Sequence, residues 1–114
     1  MPDLKELIVK ALDDLKAIDI KVLDVRDQTT ITDTMVICSS TSNRHAQALA
    51  NTVMVKAKEQ GFMPLGMEGQ SAGEWILVDL NQVIVHIMLP RVRDFYNLEK
   101  LWGDIASARG QRGQ

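Results

Sequence analysis

The amino-acid sequence predicts one α/β domain: a mixed β-sheet with helices packed on it. Three observations lead there. Apolar residues recur at helical spacing near both ends and in the middle of the chain. Between them lie short β-branched runs, two of which are separated only by Asn81-Gln82. A length of 114 residues suits a single core of two packed layers, and neither a repeat nor a linker interrupts it.

Leu4, Leu7, Ile8, Ala11, Leu12 and Leu15 form the first helical stripe, over about residues 3 to 17, with Asp3 and Glu6 placed to cap its start. Residues 20 to 25 are short and β-branched and read as a strand. Residues 34 to 38 are almost unbroken apolar residues, the pattern of a strand buried on both faces. Ser39 to Asn43 is a loop and helix start. Ala46, Leu49, Ala50, Val53 and Ala57 continue as a helix that Gly61 can close in the left-handed conformation. Residues 62 to 65 suggest a short edge strand, because Pro64 cannot donate to a ladder. Gly66 to Gly73 reads as a loop. Residues 75 to 80 and 83 to 89 should pair as an antiparallel hairpin. After Pro90, the stripe Phe95, Leu98, Leu101, Trp102 and Ile105 predicts a last helix. The order is αββαβββα. Residues 1–106 are expected to form the domain and residues 107–114, which lack apolar side chains, a disordered tail.

Composition excludes several classes of function. One cysteine, Cys38, cannot form an internal disulfide, and with only His45 and His86 beside it no structural zinc spacing exists. Its apolar setting reads as a buried small hydrophobe. The first residues lack a basic segment followed by an apolar run, and no stretch is apolar enough to span a membrane; a cytoplasmic protein without membrane contact is expected. A formal net charge of -2 argues against sequence-specific nucleic-acid binding and suits a basic partner.

Several residue patterns resemble catalytic ones but fit plainer roles better. Ser39, Ser40 and Ser42 precede His45, but the glycines of a nucleophile elbow are missing and capping explains them better. Ser39 to Arg44 could hold a phosphate at the helix start, yet no glycine-rich loop or lysine follows. Asp24, Asp33, Asp79 and Glu68 include no Asp-x-Asp pair to grip a cation for phosphoryl transfer. His86, mid-strand, reads as a core or cross-strand histidine with one hydrogen-bond partner rather than a general base. Arg44, Arg91 and Arg93 could form a small basic cluster, solvated or paired with Asp94 or Glu99. Met63, Met67 and Trp75, with Leu65 nearby, fit either a partner surface or plain core packing.

Specific strings then point to a family. Asp24-Val25 is followed by Ile31-Thr32-Asp33-Thr34-Met35-Val36-Ile37-Cys38, Thr41-Ser42-Asn43-Arg44-His45 and Glu68-Gly69. Next come Trp75-Ile76-Leu77-Val78-Asp79-Leu80, Val83-Ile84-Val85-His86 and Arg93-Asp94-Phe95-Tyr96-Asn97-Leu98-Glu99-Lys100-Leu101-Trp102. The series, from about residue 4 to 103, resembles the ribosomal silencing factor family, RsfS, also called Iojap. The family often carries an aromatic residue where this chain has Thr34. The resemblance implies a nucleotidyltransferase-like α/β fold without that fold's catalytic carboxylates, and so a binding protein with no cofactor rather than an enzyme. It implies binding to ribosomal protein L-fourteen on the large subunit, which keeps the small subunit off and represses translation when nutrients run short. It places the contact on the third and fourth strands and the region around Trp75, where Trp75 is expected as the aromatic anchor with Leu77, Asp79, Met63 and Glu68 around it. Strand alternation puts Trp75, Leu77 and Asp79 on one side, with Ile76, Val78 and Leu80 toward the core. Family members can dimerise, so a homodimer through the same patch is a second expected state. Large-subunit assembly, or nucleotidyl transfer using Asp24, Asp79 and a metal, are the alternative functions.

Overall fold

The structure, a computed structural model, describes residues 3–98, 100 and 101. The element order is α1 (Leu4–Asp14), β1 (Ile18–Asp24), β2 (Thr34–Ser39), α2 (Asn43–Glu59), β3 (Gly66–Glu68), β4 (Trp75–Asp79), β5 (Val83–Met88) and α3 (Pro90–Tyr96). The strands form one sheet in the order β1-β2-β5-β4-β3. All neighbours run antiparallel except β2 and β5, which are parallel. This is the mixed α/β sheet that the sequence predicts.

Helix ends follow from local chemistry. The Asp3 carboxylate caps α1 by accepting the Lys5 N–H, and Ser42 caps α2 by accepting the His45 N–H. Both helices end in the same motif. The Ala17 N–H donates to Leu12 O and the Lys16 N–H to Asp13 O. The Phe62 N–H donates likewise to Ala57 O and the Gly61 N–H to Lys58 O. Gly61 takes the left-handed position of α2, φ 86°, as its sequence position suggests. Lys16 takes it in α1, φ 63°, which stops that helix at Asp14, short of the expected residue 17.

Both long helices pack on one face of the sheet. Leu4, Ile8 and Leu12 of α1 and Ala46, Leu49, Ala50, Val53 and Ala57 of α2 meet Val36, Cys38, Ile76, Val78, Val85 and Ile87 from the central strands. The small alanines of α2 let its backbone lie close to the strands. On the opposite face Val25, Met35, Ile37 and Met88 form a smaller cluster with Val92 and Leu98. Among the described residues that face is covered only in part, and the end over β4 and β3 is left open by them.

Three expectations change. The short edge strand is Gly66–Glu68, inside the presumed loop, and not residues 62 to 65. Pro64 breaks the earlier segment, and pairing begins where Leu65 N–H donates to Asp79 O. The last helix breaks at Asn97, whose φ of 50° is left-handed, so Phe95 and Leu98 do not share one helical stripe: Leu98 packs on the smaller cluster while Phe95 is 81% exposed. Trp102, Ile105 and the tail at 107–114 lie outside the described residues. Finally, Arg93 is not a surface cation. Its side chain is buried, and its guanidinium donates to Ser39 Oγ at 2.9 Å and to Ile18 O at 3.4 Å, with Asp19 at 3.6 Å. Arg91, which is exposed, pairs with Glu74 at 3.1 Å, and Glu99, one of the two carboxylates expected to pair with these arginines, lies outside the described residues.

Arg93 therefore ties α3 to the ends of β1 and β2. Arg93→Ala strands the Ser39 hydroxyl and should cost on the order of 2 kcal/mol or more. A urea titration should show a lower midpoint at unchanged slope; a midpoint equal to wild type would contradict this anchoring role.

Candidate partner-binding face

The alternation expected for β4 is present. Ile76 and Val78 are buried against the helices, while Trp75, Leu77 and Asp79 are half-buried on the other face. Pairing with β3 sets Glu68 opposite Leu77 and Gly66 opposite Asp79. Glu68, Gly69, Trp75 and Leu77 line a shallow depression of about 230 Å³. Four of the five proposed site residues, Trp75, Leu77, Asp79 and Glu68, thus share one end of the sheet face. Met63 is 71% exposed but precedes β3. Met67 does not join the patch: it pairs opposite Val78 and packs on the helix-side core.

Trp75 belongs to a file of rings running from interior to solvent. Its indole Nε1–H donates to His86 Nδ1 at 2.9 Å. The indole lies 4.8 Å from the Tyr96 ring, tilted by 46°, and Phe95 meets Tyr96 edge-on at 5.0 Å. Such tilted and edge-on pairs are the favoured aromatic geometries. The hairpin creates the first contact: Leu77 pairs opposite His86 and Trp75 opposite Met88, so Trp75 and His86 are diagonal neighbours. Burial pushes the His86 imidazole down to about 4, so it is neutral at physiological pH. It is a cross-strand histidine with a hydrogen-bond partner, as its mid-strand position suggests.

A glycine permits the approach of the loop to Trp75. Gly69 has φ 85°, and a Cβ there would sit 2.1 Å from the Trp75 carbonyl oxygen. The loop that follows is held to α2, with Gln47 Nε2 donating to Gln70 O at 2.8 Å and Asn43 Nδ2 donating to Ala72 O. Gly69→Ala should cost about 2 kcal/mol from the left-handed backbone and the forced shift together. Thermal unfolding read by circular dichroism checks this, and an unchanged midpoint would contradict the close approach. His86, Tyr96 and Gly69 are the residues of this face that sequence reasoning did not assign to it.

The catalytic alternatives do not assemble. His45 Nδ1 accepts the Thr41 N–H at 2.9 Å and Nε2 donates to Leu15 O at 2.8 Å, so both ring nitrogens serve the backbone joining α1 to α2. Ser42 is a cap. Burial pushes the Cys38 thiol up to about 12, which removes it as a nucleophile at neutral pH. Asp24 holds Arg26 through two side-chain hydrogen bonds. It sits on β1, three strand spacings from Asp79 on β4, roughly 14 Å. They therefore cannot share a cation. Among the described residues no three His, Cys, Asp or Glu side chains are placed to hold a metal ion, and no helix is long and apolar enough to cross a membrane.

A small α/β domain whose described residues leave one end of a sheet face open, with an aromatic file along it, has the build of a macromolecule-binding module. The family model described as "Ribosomal silencing factor during starvation" matches residues 1–113. The chain is 46% identical over 101 residues to the ribosomal silencing factor RsfS of Chromobacterium violaceum, covering 89% of this chain and 83% of that one. A crystal structure of a Chromobacterium violaceum protein superposes with a TM-score of 0.86 at 47% identity, over 88% of this chain and 83% of that one. The mouse protein named "Mitochondrial assembly of ribosomal large subunit protein 1" is 34% identical over 102 residues, which are 85% of this chain and 44% of that one. The chain belongs to the ribosomal silencing factor family, and the names of these relatives describe ribosome-associated factors rather than enzymes.

Proposed function

We propose that this protein binds the large ribosomal subunit through ribosomal protein L-fourteen, blocks entry of the small subunit, and so represses translation when nutrients are limiting. The observation that carries the reading is the open end of the sheet face. There Trp75 and Leu77 offer apolar area beside the carboxylates of Asp79 and Glu68. A half-buried tryptophan at the edge of a depression, with carboxylates nearby, has the build of an interface anchor. The carboxylates suit basic side chains of a ribosomal partner. An interface of about 800 Å² per partner lies within reach of a domain this size.

The mechanism asks for no reactive group. The bound domain fills space that the small subunit must enter, and repression follows occupancy. The mechanism places the protein in the cytoplasm with the ribosomes it regulates. The test is to mix purified large and small subunits with increasing amounts of the protein and resolve the particles on sucrose gradients. Joined ribosomes should fall as the protein rises, and small subunits in excess should restore them. Full joining at saturating protein would sink the steric reading.

The name of the mouse relative favours a second reading, a role in large-subunit assembly. Accumulation of immature large subunits in growing cells that lack the protein would support it. Self-association through the same patch would compete with ribosome binding, since one surface cannot serve both at once.

A further inference from the structure

The Trp75 indole is held from inside the protein. An indole nitrogen only donates, so His86 Nδ1 must present its lone pair, and the neutral ring carries its proton on Nε2. His86 is itself fixed: it lies in β5, paired across to Ile37 on one side and Leu77 on the other, and is 6% exposed. Because burial disfavours the charged ring, the acceptor stays available at neutral pH. Tyr96 lies against the indole from α3.

We propose that His86 is a positioning residue: by accepting the Trp75 N–H on Nδ1, it holds the indole in one orientation before the partner arrives. This rests on the reading that Trp75 faces the ribosome. Ordering a free side chain on binding lowers affinity, and a side chain already ordered escapes that cost. The position requires an acceptor, and bulk alone does not meet that need. Asparagine can place a carbonyl oxygen near the site of Nδ1, whereas leucine fills the space with no acceptor.

The experiment combines two-dimensional 1H–15N spectra with affinity for isolated large subunits. The proteins are wild type, H86N, H86L, W75F, W75A and the double variant W75F/H86L. The Trp75 indole resonance is the one missing in W75F. It should move to a solvent-exposed position in H86L and return toward wild type in H86N. Affinity should fall about fivefold in H86L, the scale of one net hydrogen bond, and recover in H86N. In the W75F background H86L should cost nothing further. An unmoved indole resonance, or an equal affinity loss in both backgrounds, would overturn the proposal, since a merely structural histidine would act the same with or without the donor. Weak binding by W75A with wild-type binding by H86L would sink the positioning role alone. Wild-type binding by W75A would sink the partner reading, and the binding role of His86 with it. Should H86L not fold, the 15N shifts of the His86 ring in wild type and W75F carry the test. An Nδ1 signal unaffected by loss of the indole N–H would overturn the proposal.

Discussion

Trp75→Ala should weaken binding to large ribosomal subunits by about thirtyfold or more, the scale of an interface hot spot. The same substitution should cost the free domain about 3 kcal/mol, because the half-buried ring shares just the smaller cluster beneath α3 and its loss leaves His86 Nδ1 without its donor. The main core, on the helix side of the sheet, does not include Trp75. Affinity should therefore suffer while the protein stays folded at assay temperature. Affinity by fluorescence titration and stability by urea unfolding, measured on the same preparation, separate the two effects. A large loss of stability with unchanged affinity would make Trp75 a packing residue and leave the partner-binding face without its anchor.

Acid should destabilise the domain through His86. The unfolded ring takes up a proton near its ordinary value of 6.5, but the folded ring resists until about 4 because burial disfavours its charged form. Between these values the unfolded state binds more protons. The stabilising contribution is then complete above about pH 6.5 and is lost as pH falls through the window. The loss should reach about 3 kcal/mol by pH 4, at about 1.4 kcal/mol per pH unit. Carboxylates titrate in the same range, so the contribution of His86 is the difference between wild type and H86N. The variant should show a shallower decline of unfolding free energy from pH 6.5 to 4. Parallel curves would mean that the ring is accessible to protons in the folded state.

Much of the architecture is legible in the amino-acid sequence. Helical stripes located α1 and α2, and Gly61 located the end of the second. The two-residue gap at Asn81-Gln82 gave the β4–β5 hairpin, and alternation along β4 separated Trp75, Leu77 and Asp79 from the core. The misreadings have particular causes. Lys16 closes α1 in a conformation that glycine usually takes, so no glycine marked the stop. Strand β3 is three residues long, too short for a periodic signal. Arg93 is buried because β1 and β2 bring Ile18 and Ser39 to it across the fold, a convergence with no local trace.

The Trp75–His86 contact was within reach of sequence reasoning. A two-residue hairpin turn between 80 and 83 sets residue 77 opposite 86, and leaves 75 diagonal to 86 on the same face. An aromatic donor and a lone histidine acceptor at that offset are a pair to test for. The contribution of Tyr96 left no local trace, because it meets Trp75 only through the packing of α3 on the sheet.

The central claim is that this domain recognises the large subunit through the open end of its sheet. Co-sedimentation of the purified protein with isolated large subunits, small subunits and joined ribosomes, with Trp75→Ala alongside, tests it most directly. The wild type should pellet with large subunits only, and the variant, though folded, should remain in the supernatant. Binding to no particle, or equal pelleting of wild type and variant with large subunits, would contradict it.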